Sequence, residues 1–156
     1  MLQYISKSPE DTQRLAAELG KRVREGLVLC LRGELGAGKT CFVQGLTAAL
    51  GIQEPAVSPT YNLMNIYEGR RIVYHFDLYR LVSEEELEEI GFYEYAEDAD
   101  CVVLIEWPDR FTESLPENYI MLDMKKLPEG ERERCLTFTL QGEKFAALFE
   151  ELRQLC

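Results

Sequence analysis

The chain has 156 residues and a formal net charge of −11, from 17 Lys and Arg against 28 Asp and Glu, with 46% hydrophobic residues. That length sets an expectation of one domain with a sizeable core, and no apolar run approaches the roughly 18–20 residues that a membrane span needs. No basic stripe is visible, which argues against unaided tight binding to DNA or RNA, where phosphate neutralisation dominates affinity.

The opening MLQYISKSPED lacks a basic cluster followed by a long apolar stretch, so no secretory signal is read and a cytoplasmic location is expected. Cys30, Cys41, Cys101, Cys135 and Cys156 include no C-x-x-C pair, so neither a disulfide framework nor a zinc site is indicated.

Gln3–Ser6 reads as a short edge strand. Ser8 then caps a helix with Pro9 in its first turn and Glu10 and Asp11 near its positive end. Leu15, Leu19 and Val23 recur at helical spacing, although Gly20 weakens the pattern. LVLCLR, Leu27–Arg32, is apolar and bounded by glycines, as a buried strand should be. A helix from Lys39 to Leu50 stops at Gly51. After the loop EPAVSPTY, the segments NLMNIY and IVYHFDLY flank EGRR and read as an antiparallel pair. Ser83 and Glu86 form a capping box for a short acidic helix. CVVLIEW, Cys101–Trp107, is the second strongly apolar strand, and NYIMLDMKKL with RCLTFTLQ forms a late hairpin around Pro128-Glu129-Gly130. Glu143–Leu155 is a terminal helix with Phe145, Leu148, Phe149, Leu152 and Leu155 on one face. Strand–helix alternation in the first half indicates an α/β fold with a central parallel sheet, and the hairpins suggest antiparallel strands at its edges.

The chemistry lies in GELGAGKT, Gly33–Thr40, which satisfies G-x-x-x-x-G-K-[ST] between a strand and a helix. Gly33, Glu34, Leu35, Gly36, Ala37, Gly38, Lys39, Thr40 and Cys41 would line a phosphate chain. The glycines let backbone N–H groups turn inward, and the helix N-terminus adds partial positive charge. Lys39 would reach the β- and γ-phosphates and the Thr40 hydroxyl would ligate Mg2+. A carboxylate from a neighbouring strand end is also needed. Glu106, after the uniformly apolar CVVLI, is favoured for the metal, and Asp77 is the second acid near the γ-phosphate. Trp107 either fills the core or shapes the site. Ser58-Pro59-Thr60-Tyr61 either forms a plain turn or, with the Thr60 hydroxyl, acts as a switch segment. His75, the lone histidine, reads as a packing residue. The guanine-reading N-K-x-D pattern is absent, so ATP is expected rather than GTP. Nine acids and no Lys or Arg fall between Glu84 and Asp100, which reads as a solvated face or as a docking surface for a basic partner.

GELGAGKT, SPTY, YHFDLYRL and IEWPD, in that order and spacing, resemble the bacterial TsaE (YjeE) family over nearly the whole chain. The resemblance implies a P-loop nucleotide-binding fold and a magnesium-dependent ATPase serving N6-threonylcarbamoyladenosine formation in tRNA. It implies TsaB and TsaD as partners, with tRNA handled indirectly through them and no membrane involved. Glu106 would match the family's magnesium ligand, Asp77 its second essential acid and Trp107 the tryptophan beside the ligand. Ser58–Tyr61 would match the switch-like loop, and Thr12 and Arg134 positions that border the nucleotide. Relatives commonly read GKTT; Cys41 replaces the second hydroxyl with a weakly donating thiol, so somewhat weaker nucleotide affinity is expected. A small-molecule kinase is an alternative, although no acceptor pocket is evident in the sequence, and a non-hydrolysing nucleotide sensor is another.

Overall fold

A computed structural model describes residues 1–60, 62–98 and 100–156. In chain order the elements are strand β1 (Leu2–Ser6), helix α1 (Pro9–Arg22), β2 (Leu27–Arg32), α2 (Lys39–Ala49), β3 (Met64–Glu68), β4 (Ile72–Asp77), α3 (Glu84–Glu89), α4 (Phe92–Ala96), β5 (Val102–Glu106), a 3₁₀ segment (Pro108–Ser114), β6 (Tyr119–Lys126), β7 (Arg134–Gln141) and α5 (Ala146–Leu155). No described helix is long and apolar enough to cross a membrane.

The strands form one seven-stranded sheet in the order β1-β7-β6-β2-β5-β4-β3. β6, β2, β5 and β4 run parallel, while β7 pairs antiparallel with both β6 and β1, and β3 pairs antiparallel with β4. A parallel centre with antiparallel borders is therefore what the chain adopts. Each hairpin is divided between the two regions: β4 and β6 belong to the parallel centre, and only β3 and β7 run against it. The central strands show why their sequences are apolar throughout. Every residue of β5 is buried, as are Leu27–Leu31 of β2, because covered parallel strands have no solvent face. β6 alternates instead, burying Ile120, Leu122 and Met124.

Local signals place the helices. The Ser8 hydroxyl accepts from the Asp11 N–H at 3.1 Å and Pro9 opens α1. Gly20 does not end this helix, which continues to Arg22. A Cβ there would stand 2.8 Å from the Ala49 Cβ, so the glycine serves close helix packing. Gly45 on α2 is tighter still, with a Cβ falling 2.5 Å from the Gln13 carbonyl oxygen. Ser83 caps α3 through the Glu86 N–H at 3.3 Å, but the Glu86 carboxylate accepts from the Val82 N–H at 3.0 Å and not from Ser83. Neither α4 nor the 3₁₀ segment is signalled in the sequence, both being short. α4 packs on β4, with Phe92 edge-on to Phe76 at 5.1 Å. α5 begins at Ala146, three residues later than the expected Glu143, with Phe145 as its N-cap; of the expected apolar face it buries Leu148, Phe149 and Leu152.

Candidate nucleotide and phosphate-transfer site

Ligands in open α/β sheets bind beyond the carboxyl ends of the parallel strands. Here Leu31 on β2 is in register with Glu106 on β5, which is in register with Asp77 on β4. The three strand ends thus lie side by side. The loop Gly33–Gly38 leaves β2 at this edge and enters α2 at Lys39. Its turns need backbone that L side chains rarely adopt: Gly36 has φ 83° and Gly38 φ 107°. Among the described residues no side chain caps α2, so its first N–H groups have no side-chain acceptor there, the arrangement that suits an anion.

Lys39 is 8% exposed, and its Nζ lies 3.9 Å from Glu106 Oε1 and 4.2 Å from the centroid of the Trp107 ring. Burial holds its ammonium below the usual lysine value, while Glu106 and Asp77 push it back up. These carboxylates supply the negative charge that phosphate oxygens would supply. Trp107 is held at φ 58° and ψ 52°, a left-handed conformation that costs a bulky residue about 1–3 kcal/mol. Its ring contacts both Lys39 and Tyr79, whose ring centroid is 4.8 Å away at a tilt of 46°. Trp107 therefore borders Lys39 at the strand ends rather than filling the core.

Asp77 accepts from the Thr60 hydroxyl at 3.0 Å and from the Tyr79 N–H at 3.0 Å. Thr60 is also 2.7 Å from Ser58 Oγ, and Arg80 donates to the Thr60 carbonyl at 3.4 Å. The Ser58–Thr60 segment is thereby tied to the acid at the end of β4. Tyr61 lies outside the described residues. Glu34 and Leu35 are exposed at the loop tip, Leu35 at 92%, while Ala37 is buried. Arg134 borders the loop by donating to the Gly36 carbonyl at 3.3 Å. The Cys41 thiol, pushed up by burial, donates to the Pro9 carbonyl at 3.3 Å. Thr12 is 2% exposed and its hydroxyl pairs with Ser6 Oγ at 2.6 Å, so this side chain is packed inward.

Spacing by itself passed over His75. Its Nε2 lies 2.5 Å from Glu106 Oε2, with both side chains buried. The available signal was the H-x-D spacing: two residues apart on a strand, His75 and Asp77 share a face. Beside the loop, a cavity of about 460 Å³ opens between Arg32, Trp107, Asp123, Met124 and Lys126, where the sequence offered no sign of a pocket.

The donor set fits magnesium. Thr40, Glu106 and Asp77 offer hard oxygen atoms, and no described group of three or more His, Cys, Asp or Glu side chains forms a closed metal cage. Mg2+ characteristically takes one or two protein oxygens and fills the rest of its shell with phosphate and water.

The sheet order and this strand-end arrangement define an α/β protein of the P-loop fold. A family model described as "Threonylcarbamoyl adenosine biosynthesis protein TsaE" matches residues 6–134. The chain is 42% identical over 132 residues to the tRNA threonylcarbamoyladenosine biosynthesis protein TsaE of Treponema pallidum, covering 85% of this chain and 97% of that protein. It is 37% identical over 152 residues to the Bacillus subtilis protein of the same name, covering 97% and 93%, and 44% identical over 141 residues to that of a Nostoc species, covering 88% and 86%. The crystal structure of Bacillus subtilis YdiB superposes with a TM-score of 0.79 at 32% identity, over 99% of this chain and 95% of that one. The chain belongs to the TsaE family.

Proposed function

We propose that this chain binds ATP with Mg2+ on the Gly33–Cys41 loop and hydrolyses it to support formation of N6-threonylcarbamoyladenosine in tRNA, acting through TsaB and TsaD. The relatives' names support the pathway. The observation that carries the ATPase reading is the convergence of Lys39, Glu106, Asp77 and Thr60 at adjoining strand ends. The loop amides and Lys39 hold and orient the phosphates, with Arg134 steadying the loop at Gly36. Thr40 and Glu106 would hold Mg2+, which supplies charge neutralisation on the phosphates. Asp77 and the Thr60 hydroxyl orient the attacking water, and loss of the γ-phosphate releases the Ser58–Thr60 segment from its ordered state. Without a partner to complete the site, turnover is slow.

Phosphate release measured with and without TsaB, TsaD and tRNA tests this. Release should be slow for the chain alone and should rise with the partners. Glu106→Ala should lower it by at least about tenfold while nucleotide binding falls less. Full turnover by the isolated chain, unchanged by the partners, would overturn the reading. The cavity beside Trp107 gives the kinase alternative one supporting observation. Phosphate transfer to a small hydroxyl compound faster than to water would establish it.

A further inference from the structure

We infer that His75 is a positioning residue: through Nε2 it fixes one oxygen of Glu106 so that the other is kept for the phosphate-bound cation. This rests on the reading of Glu106 given under Proposed function.

His75 sits on β4 opposite Leu104, which is two residues before Glu106 and on the same face of β5, and is 1% exposed. Glu106 is acceptor-only when ionised, so the 2.5 Å contact requires the proton on Nε2. Nδ1 then has no partner among the described residues. Among the described residues the ring's one polar attachment is therefore Glu106. An imidazole with an unpaired nitrogen is a poor choice for a core position, because a buried polar atom without a partner loses its hydration uncompensated. The adjoining β4 residues Val73 and Phe76 are fully buried and apolar, and an apolar residue at 75 would avoid the unpaired atom. What the histidine adds is its hold on the carboxylate.

The consequence for Glu106 is directional. Its Oε2 is taken by His75, while Oε1 faces Lys39 at the looser distance of 3.9 Å. Without the imidazole, a buried carboxylate beside a buried ammonium would swing both oxygens onto Lys39. That would withdraw the acid from the cation and tether the lysine that must reach the phosphates. Residues that orient a metal-holding group in this way characteristically change affinity or activity by about 10–100-fold when removed.

The test is equilibrium binding of a fluorescent, non-hydrolysable ATP analogue to the full chain, once with Mg2+ and once with EDTA. The readout is the ratio of the two affinities. Gln can place its amide where Nε2 lies, whereas Asn ends near Nδ1 and stops short of Glu106. His75→Gln should keep the wild-type ratio within about threefold, and His75→Asn should lose about tenfold. In a Glu106→Ala background, His75→Asn should cost nothing more, which a role in packing alone would not produce. Should His75→Asn not fold, His75→Leu, which fills the site with apolar atoms, carries the same expectations. A ratio preserved in His75→Asn or His75→Leu, or a further loss in the double variant, overturns the inference. If Glu106→Ala itself preserves the ratio, the reading of Glu106 as the cation's acid fails, and the inference with it. If Glu106→Ala loses the ratio and the His75 variants keep it, only the positioning role falls.

Discussion

Lys39 is held by a carboxylate and an aromatic face, and on the proposed reading its ammonium would turn from the ring to the phosphates. Its Nζ stands 4.2 Å from the Trp107 ring, and Trp107 is the chain's one tryptophan. Addition of Mg-ATP should therefore change tryptophan emission in a saturable way as the ammonium moves from the ring to the phosphates. Lys39→Ala should abolish both the change and nucleotide binding, because the loop loses its charged contact to the outer phosphates. An unaltered emission on demonstrated binding would mean that Lys39 stays where it is. The turn that brings Lys39 and Thr40 to the start of α2 was legible because the loop is a local object: eight consecutive residues encode both its shape and its charge. His75 was not legible, since its meaning depends on a contact with Glu106, thirty-one positions away. Thr12 shows the converse. Its place in the first helix was readable, but its burial against Ser6 follows from how that helix seats on β1.

Helices α1 and α2 carry a glycine each at their contact, and these act through space more than through backbone freedom. Gly45→Ala weighs two effects against each other. Helix propensity favours alanine by about 1 kcal/mol. Against it, the new Cβ would fall 2.5 Å from the Gln13 carbonyl oxygen and 2.8 Å from its Cα, and backbone atoms cannot swing aside. Overpacking of this kind costs about 1–3 kcal/mol, so the clash should win and the variant should melt at lower temperature in a calorimetric scan. A melting point equal to or above wild type would show that the helices separate freely. Since α2 begins at Lys39, the same strain should weaken nucleotide binding. The helix bounds themselves were readable from Ser8, Pro9 and Gly51, which act on their own neighbours. Gly20 misled for the reason that makes Gly45 important: a glycine's cost in an isolated helix is local, whereas its value is set by the helix opposite.

The nine acids between Glu84 and Asp100 concentrate most of the molecule's net charge in one stretch. α3 follows β4 closely, so this charge lies on the chain just beyond Asp77. If this surface meets a basic partner, association should be driven by long-range attraction, which salt screens over about 10 Å at 0.1 M. Raising ionic strength should slow association with the TsaB–TsaD pair and reduce its stimulation of phosphate release. Neutralising the exposed Glu84, Glu85 and Glu88 to Gln should do the same while leaving the unstimulated rate unchanged. Stimulation indifferent to both would leave the acids as a solvated face.

Composition, periodicity and the G-x-x-x-x-G-K-[ST] motif were enough to specify an α/β chain, most of its element boundaries and the glycine-rich loop between β2 and α2, because each depends on residues a few positions apart. Strand order is different in kind. β2 is hydrogen-bonded to β5 and β6, neither of which adjoins it in the chain, and no local pattern encodes those partners. The register that sets Asp77 beside Glu106 and the grip of His75 on the acid both follow from that non-local pairing. They exist only once the distant segments share a core.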